Sequence, residues 1–282
     1  MSATTGRLVI VATPIGNLGD VSARARDALA EADLVLAEDT RRTGRLLAHL
    51  DVSTPQRSLH EHNEDERLGE VLAHLEGGAT VALVSDAGTP AVSDPGFRLV
   101  RACIDAGYLV EHVPGASAVL AALVVSGMAT DRFTFEGFLP RKGSTRADRL
   151  AELAIERRTM VVFASPHRAA DDLRDLAARL GPERPAALCR ELTKLHEEVR
   201  RATLGGLAED AGDLRGEVTI VIAGAPEGVG LTHADDLVAA VRVRVAGGMS
   251  KKAAIADVAA SHGVPKRVVY QAVVEDGASG AG

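Results

Sequence analysis

The sequence predicts an α/β protein: two α/β domains followed by a small helical module of helix-turn-helix outline. Three observations predict it. Short apolar runs rich in Val, Ile and Leu alternate with helical patterns through both halves of the chain, as they do in α/β proteins. Several of these runs break abruptly into turns of Gly, Pro, Ser and Asp, most clearly at 79–96 (ATVALVSDAGTPAVSDPG). The strand pattern then stops, and the C-terminal stretch reads as three short helices. The expected division is 1–116, 117–226 and 231–276, with 225–230 as a Gly- and Pro-containing linker.

The bulk composition narrows the class. The 282 residues leave room for about two domains. The two cysteines, Cys103 and Cys189, lie in apolar surroundings and suit a reducing compartment without disulfides. The N-terminus lacks the basic and apolar segments of a leader, and Pro and Gly punctuate the uncharged run 113–130. A cytoplasmic location without membrane contact is therefore expected. A net charge of −7 and 2% aromatic residues weigh against a protein that coats bare nucleic acid. Any nucleic-acid contact would use local basic patches.

In chain order, 7–12 (RLVIVA) is a strand that runs into Thr13-Pro14-Ile15-Gly16, with Asp20 as cap for a helix over 23–30. A second strand at 33–37 ends in Glu38-Asp39-Thr40-Arg41-Arg42, where Asp39 or Thr40 can cap the next helix. Two His and two Glu within 58–64 invite a metal. They lack a distant third ligand, so no metal is expected, and Asn63 with Glu66 reads as a capping box. In the 79–96 stretch, 81–84 is a buried strand. Asp86 is either a turn residue or a ligand contact, and Asp94-Pro95 opens a helix carrying Phe97, Val100, Cys103 and Ile104 at helical spacing. The strand 109–113 ends in PGASA at 114–118, where Ser117 caps a helix or its loop approaches a ligand.

The second half begins with 131–140, read as a strand with Phe133 and Phe135 on its buried face. Residues 141–149 (RKGSTRADR) carry four cations and one Asp, either a solvated helix start or a phosphate-contacting arm. Strands at 159–163, 186–189, 197–203 and 218–223 follow, with helices up to Leu180 and over 205–214. Helices at 235–245, 250–261 and 266–274, turned by Gly263-Val264-Pro265, bear Arg242, Arg244, Lys251, Lys252, Lys266 and Arg267, with Asp257 among them.

Taken together, ATPIGNLGD at 12–20, AEDTRRTGRLL at 37–47, SDAGTPAVSDPG at 85–96 and PGASA at 114–118 resemble the tetrapyrrole methylase superfamily. With LHEHNE at 59–64, GFLPRK at 137–142 and RELTKLHEE at 190–198, the chain resembles one branch of it. That branch methylates the ribose 2′-oxygen of a decoding-centre cytidine in 16S rRNA of the small ribosomal subunit. One position departs: FASPHR at 163–168 has Ala164 where the branch commonly has Glu.

The resemblance implies S-adenosyl-L-methionine as methyl donor, a homodimer, and a cofactor cleft between the two α/β domains. It implies donor contacts from Pro14, Ile15, Asp86, Ala87, Gly88, Ser117 and Ala118, and from Phe163, Leu192 and Ala223. A ribose hydroxyl is a weak nucleophile, so a base is wanted, and Glu38, Asp39 and His60 are the candidates. Arg41, Arg42, Arg141 and Lys142 are candidates for RNA phosphates. Two alternatives stand beside this reading: a methylase acting on a tetrapyrrole, which needs no basic arm, and a helix-turn-helix regulator whose α/β part senses a ligand.

Overall fold

The computed structural model describes residues 6–212, 214–226, 234–262 and 264–279. Parts of the expected linker (227–230), the start of the helical module (231–233) and Gly263 lie outside the described residues. The chain divides into two compact units within helix α5 (Ala118–Ser126). One runs to Ala121 and takes in Leu192–Leu195, and the other holds Ala122–Glu191 and the chain from His196 onward.

The first unit is a parallel sheet of β1 (Arg7–Val11), β2 (Leu34–Ala37), β3 (Gln56–Ser58), β4 (Thr80–Val84) and β5 (Leu109–Val113), in the order β3-β2-β4-β1-β5. Successive side chains of a strand point to opposite faces. Accordingly Val9, Val11, Val35, Ala37, Ala82 and Val84 pack with α1 (Ala23–Glu31) and α2 (Thr40–His49). Leu8, Leu34, Leu36, Val81 and Leu83 pack instead with α3 (Glu64–Glu76) and α4 (Phe97–Asp105). Both faces are covered, which is why these strands read as unbroken apolar runs.

Helix starts in this unit differ from the expected ones because the capping oxygens come from elsewhere. Ser22, not Asp20, caps α1, accepting from Ala25 N at 3.1 Å, while Asp20 sits in a short 3-10 turn. Asn63 forms no capping box: its side-chain oxygen accepts from His60 N at 2.8 Å. Helix α4 opens after Gly96, at φ +122°, rather than at Asp94-Pro95. Its third N–H, on Leu99, is met by the buried Glu64 carboxylate from α3 at 3.1 Å. Its buried face is Leu99 and Cys103; Phe97 and Ile104 are exposed.

The second unit holds a mixed sheet of β6 (Phe133–Phe138), β7 (Thr159–Ala164), β8 (Pro185–Arg190), β9 (Glu198–Thr203) and β10 (Val218–Ile222), ordered β6-β7-β10-β8-β9. Only β6 and β7 run parallel. One face packs against α6 (Gly143–Ala154), α7 (Ala169–Leu180) and α8 (Leu204–Glu209), the last shorter than the expected 205–214. Strand β6 is an edge with an irregularity between Phe135 and Gly137. Phe133 is therefore exposed rather than buried, while Phe135 packs edge-on against Phe163. The helices α9 (Ala234–Ala246), α10 (Lys251–His262) and α11 (Lys266–Ser279) enclose a core of their own around Val241, Val258 and Val269.

The basic stretch 141–149 is mostly not an arm. Arg146 is buried and pairs with Asp172 at 2.8 Å and Asp175 at 2.7 Å, and it donates to Pro140 O. Arg149 pairs with Glu136 and Glu152. Arg141 and Lys142 remain exposed. Removing one partner of a buried pair strands the other charge, at a cost of about 3–5 kcal/mol. Arg146→Ala should therefore lower the unfolding free energy of the second unit, read from urea titration, by an amount of that order, while Arg174→Ala on the exposed face of α7 should change it little.

Candidate functional site

The first unit collects its polar loops at one edge because all five strands run parallel. Strand β1 feeds α1 on one face and its neighbour β4 feeds α4 on the other. Adjacent strands whose helices leave to opposite faces open a crevice beyond their carboxyl ends, the usual ligand site of an open α/β sheet. Here the two loops are tied together at that point. Thr13 N donates to Gly88 O at 2.8 Å, and Gly88 N to Thr13 O at 3.0 Å. Thr13 Oγ1 donates to Ser85 O at 3.1 Å.

Gly88 has φ +83°, and a Cβ there would fall 3.5 Å from Ile15 Cγ2 and 3.8 Å from Ala116 O. A Cβ on Gly115 would fall 3.0 Å from that of Ala12. The loops after β1, β4 and β5 thus meet at van der Waals distance, and Pro14, Ile15, Asp86, Ala87, Gly88 and Ser117 come together in one unit. Ser117 also serves its helix, accepting from Leu120 N at 3.4 Å.

The loop after β2 joins through Asp86. One carboxylate oxygen of Asp86 accepts from Asp39 N at 3.1 Å, and the other pairs with Arg42 at 3.2 Å. Asp39 caps α2, accepting from Arg41 N at 2.8 Å, and binds the Arg41 guanidinium at 2.7 Å. That hydrogen bonding holds its carboxyl well below the usual carboxylate range, so Asp39 is a poor base. Burial, followed by the charge of Asp86, raises Glu38 above its ordinary value. Leu59 N donates to Ala37 O at 2.8 Å, which extends the pairing of β3 and β2 and brings His60 to the same edge. Its Nδ1 is buried without a hydrogen-bond partner among the described residues.

Sequence reasoning missed Asp94 as a site residue, reading it as a cap. Burial raises it to about 6, helped by the charges of Glu38 and Asp86 and opposed by a hydrogen bond with Ser85. The run that carries it is strained: Ala91 (φ +67°) and Ser93 (φ +61°) take left-handed backbone that L-residues rarely adopt, and nothing in the sequence signals this.

In the second unit the register separates two of the expected donor contacts. Phe163 pairs with Thr219, while Ala223 lies just past Ile222, which pairs with Met160. Phe163 and Ala223 therefore stand at opposite ends of that sheet. Leu192 lies in the short segment that packs with the first unit, next to Lys194, whose stem occupies the space a side chain on Gly16 would need.

The family profile of the tetrapyrrole (corrin/porphyrin) methylases matches residues 7–208. The chain belongs to this family. Within it, the chain is 51% identical over 276 residues to the ribosomal RNA small subunit methyltransferase I of Mycobacterium tuberculosis (strain CDC 1551 / Oshkosh), covering 96% of each chain. It is 46% identical over 278 residues to the protein of that name from Synechocystis sp. (strain PCC 6803), covering 98% of this chain and 100% of the other. Among solved methylases, the uroporphyrin-III C-methyl transferase of Thermus thermophilus complexed with S-adenyl homocysteine shares the fold. It superposes with a TM-score of 0.55 at 24% identity, over 77% of this chain and 96% of that one. Most of the remainder of this methylase-family chain has no counterpart there.

The Asp94 carboxyl yields a pH test. Its pKa in the folded chain, about 6, lies above the roughly 3.9 of a free Asp. The stability it contributes is complete below about pH 4 and is lost as pH rises through 6. Asp94→Asn should raise the melting temperature at pH 8 and leave it nearly unchanged at pH 4, read by scanning calorimetry.

Proposed function

We propose that this chain transfers a methyl group from S-adenosyl-L-methionine to the ribose 2′-oxygen of a cytidine in 16S rRNA, working as a homodimer in the cytoplasm. The observation that carries the reading is near-full-length likeness to relatives named ribosomal RNA small subunit methyltransferase I. The edge of the first sheet supports it independently. Exposed apolar side chains of that unit, Phe97, Ile104 and Leu109, support the dimer. Buried, unpaired Cys103 and Cys189 suit a reducing compartment.

The residues fit the donor. A Cβ on Gly115 would crowd Ala12, and Gly88 takes a left-handed φ of +83°, so bare backbone lies open to close approach there. Asp86 and Asp94 supply negative charge suited to a cationic ligand. When bound, S-adenosylmethionine supplies an electrophilic methyl on a positively charged sulfur. Pro14, Ile15, Asp86, Ala87, Gly88, Ser117 and Ala118 would hold it; Phe163, Leu192 and Ala223 are assigned to it by the resemblance alone.

The protein's share is orientation and proton handling. Asp86 fixes the loop after β2 through Asp39 N and Arg42 and thereby sets where Glu38 stands. Glu38, with its raised affinity for protons, accepts the ribose hydroxyl proton at its carboxylate, and His60 Nδ1 is the second acceptor at that edge. Exposed Arg141 and Lys142 bind RNA phosphates, a need a tetrapyrrole substrate does not create.

The test is incorporation of labelled methyl from S-adenosylmethionine into small subunits lacking the mark, followed by digestion to nucleosides. Label on a cytidine ribose is expected; label in a tetrapyrrole and none in RNA would replace this reading with the tetrapyrrole one. Glu38→Gln should lower kcat by roughly 10²–10⁴-fold, the usual worth of a general base, with donor binding retained in calorimetry. Asp86→Ala should weaken donor binding, and Arg141→Glu/Lys142→Glu should abolish RNA methylation while sparing donor binding.

A further inference from the structure

A cavity of about 1000 Å³ opens in the second unit, between the starts of β6 and β7, the end of α6 and the first turn of α11. Its walls carry Arg132, Arg149, Arg157, Arg158 and Arg267 against three carboxylates. That excess of positive charge runs against a chain whose net charge is −7. Like charges gathered this closely repel one another unless an anion joins them.

Two of these carboxylates are already engaged, and the third, Asp131, is exposed. Glu156 holds Arg158 at 2.7 Å. Glu152 is shared, one oxygen with Arg149 at 2.9 Å and the other with Arg267 at 2.6 Å, which straps α11 to α6. Arg132 and Arg157 are exposed and form no ion pair among the described residues.

The floor of the cavity is rigid. Ala225 N donates to Glu156 O at 2.6 Å, and Gly224 lies so close that a Cβ would fall 1.9 Å from Arg157 O. The buried Arg184 guanidinium has no acid partner among the described residues. It donates to Ala154 O at 3.1 Å and Leu180 O at 2.9 Å, closing the carboxyl ends of α6 and α7. The backbone that carries Arg157 and Arg158 is therefore held in place before any ligand arrives, which lowers the entropy lost on binding.

We propose that this cavity binds consecutive phosphodiesters of the substrate RNA. Guanidinium forks match phosphate oxygens two at a time, and the amino end of the 14-residue helix α11 adds positive potential beside them. No aromatic side chain lines the walls, so bases have nothing to stack on and the contact is to the backbone. The proposal rests on the RNA reading above and adds a place for the strand to run.

The test compares full-length Arg132→Ala/Arg157→Ala with the parent chain, using a fluorescein-labelled RNA hairpin in anisotropy titrations over a salt series. Affinity should fall roughly tenfold or more, and the slope of log Kd against log salt should become shallower by about one to two. KM for unmodified small subunits should rise with kcat unchanged, and donor binding should not move. Arg132→Lys/Arg157→Lys should keep most of the slope, and Arg174→Ala/Arg179→Ala, the same charge lost from α7, should match the parent.

An unchanged slope and KM would overturn the proposal. So would polyglutamate competing as well as RNA of equal charge, which would make an acidic protein the occupant. If the parent chain itself labels no RNA, the functional reading falls; if it labels RNA and the alanine pair does so equally well, only this cavity's role falls.

Discussion

The paired N–H···O bonds between Thr13 and Gly88 are the contact on which the first unit's edge depends. They close the gap between β1 and β4 at the point where the helices after these strands part to opposite faces. A φ of +83° disfavours any side chain at Gly88, and Ile15 and Ala116 border the space beside it. The chemistry of the edge follows from this closeness. Asp86, two residues before Gly88, is brought to Asp39 N and Arg42, and its charge adds to burial in raising both Glu38 and Asp94. A purely local feature, one left-handed glycine, thus sets the electrostatics of three carboxylates drawn from two strands' ends.

Much of this was legible in the sequence, because strands and their terminating turns are local. The runs at 7–12, 33–37, 81–84 and 109–113 became β1, β2, β4 and β5, and the small-residue loops after three of them converge. What escaped was decided by partners far along the chain. Arg146 looked like one of four free cations until Asp172, 26 residues on, buried it. The first turn of α4 needed a carboxylate, and Glu64, 35 residues earlier, provided it, so Asp94 was released from the capping role that its position before Pro95 suggested. The arginines of the helical module behave alike: Arg242 is held by Asp276, Arg244 by Asp257 and Arg267 by Glu152. Counting charge along a sequence overstates what a surface offers, since ion pairs are made in three dimensions.

Backbone strain separates function from packing more sharply than charge does. Among the described residues five non-glycine positions have clearly positive φ, and four of them, Ala91, Ser93, Glu191 and Thr193, fall within 85–96 and 190–198. These are two of the stretches on which the family resemblance was first drawn. Each such residue costs about 1–3 kcal/mol, and a glycine at any of them would relieve the cost. A chain shaped for stability alone would have little reason to keep Ala, Ser, Glu and Thr there. The Glu191 side chain explains one case, since its carboxylate accepts from Glu217 N at 2.8 Å while its own N–H donates to Glu217 O at 2.9 Å, bracing the turn. For Ala91 and Ser93 no comparable brace exists among the described residues. The loop they shape carries Asp94 and lies beside Asp86, so the strain there fixes where a half-buried carboxyl stands.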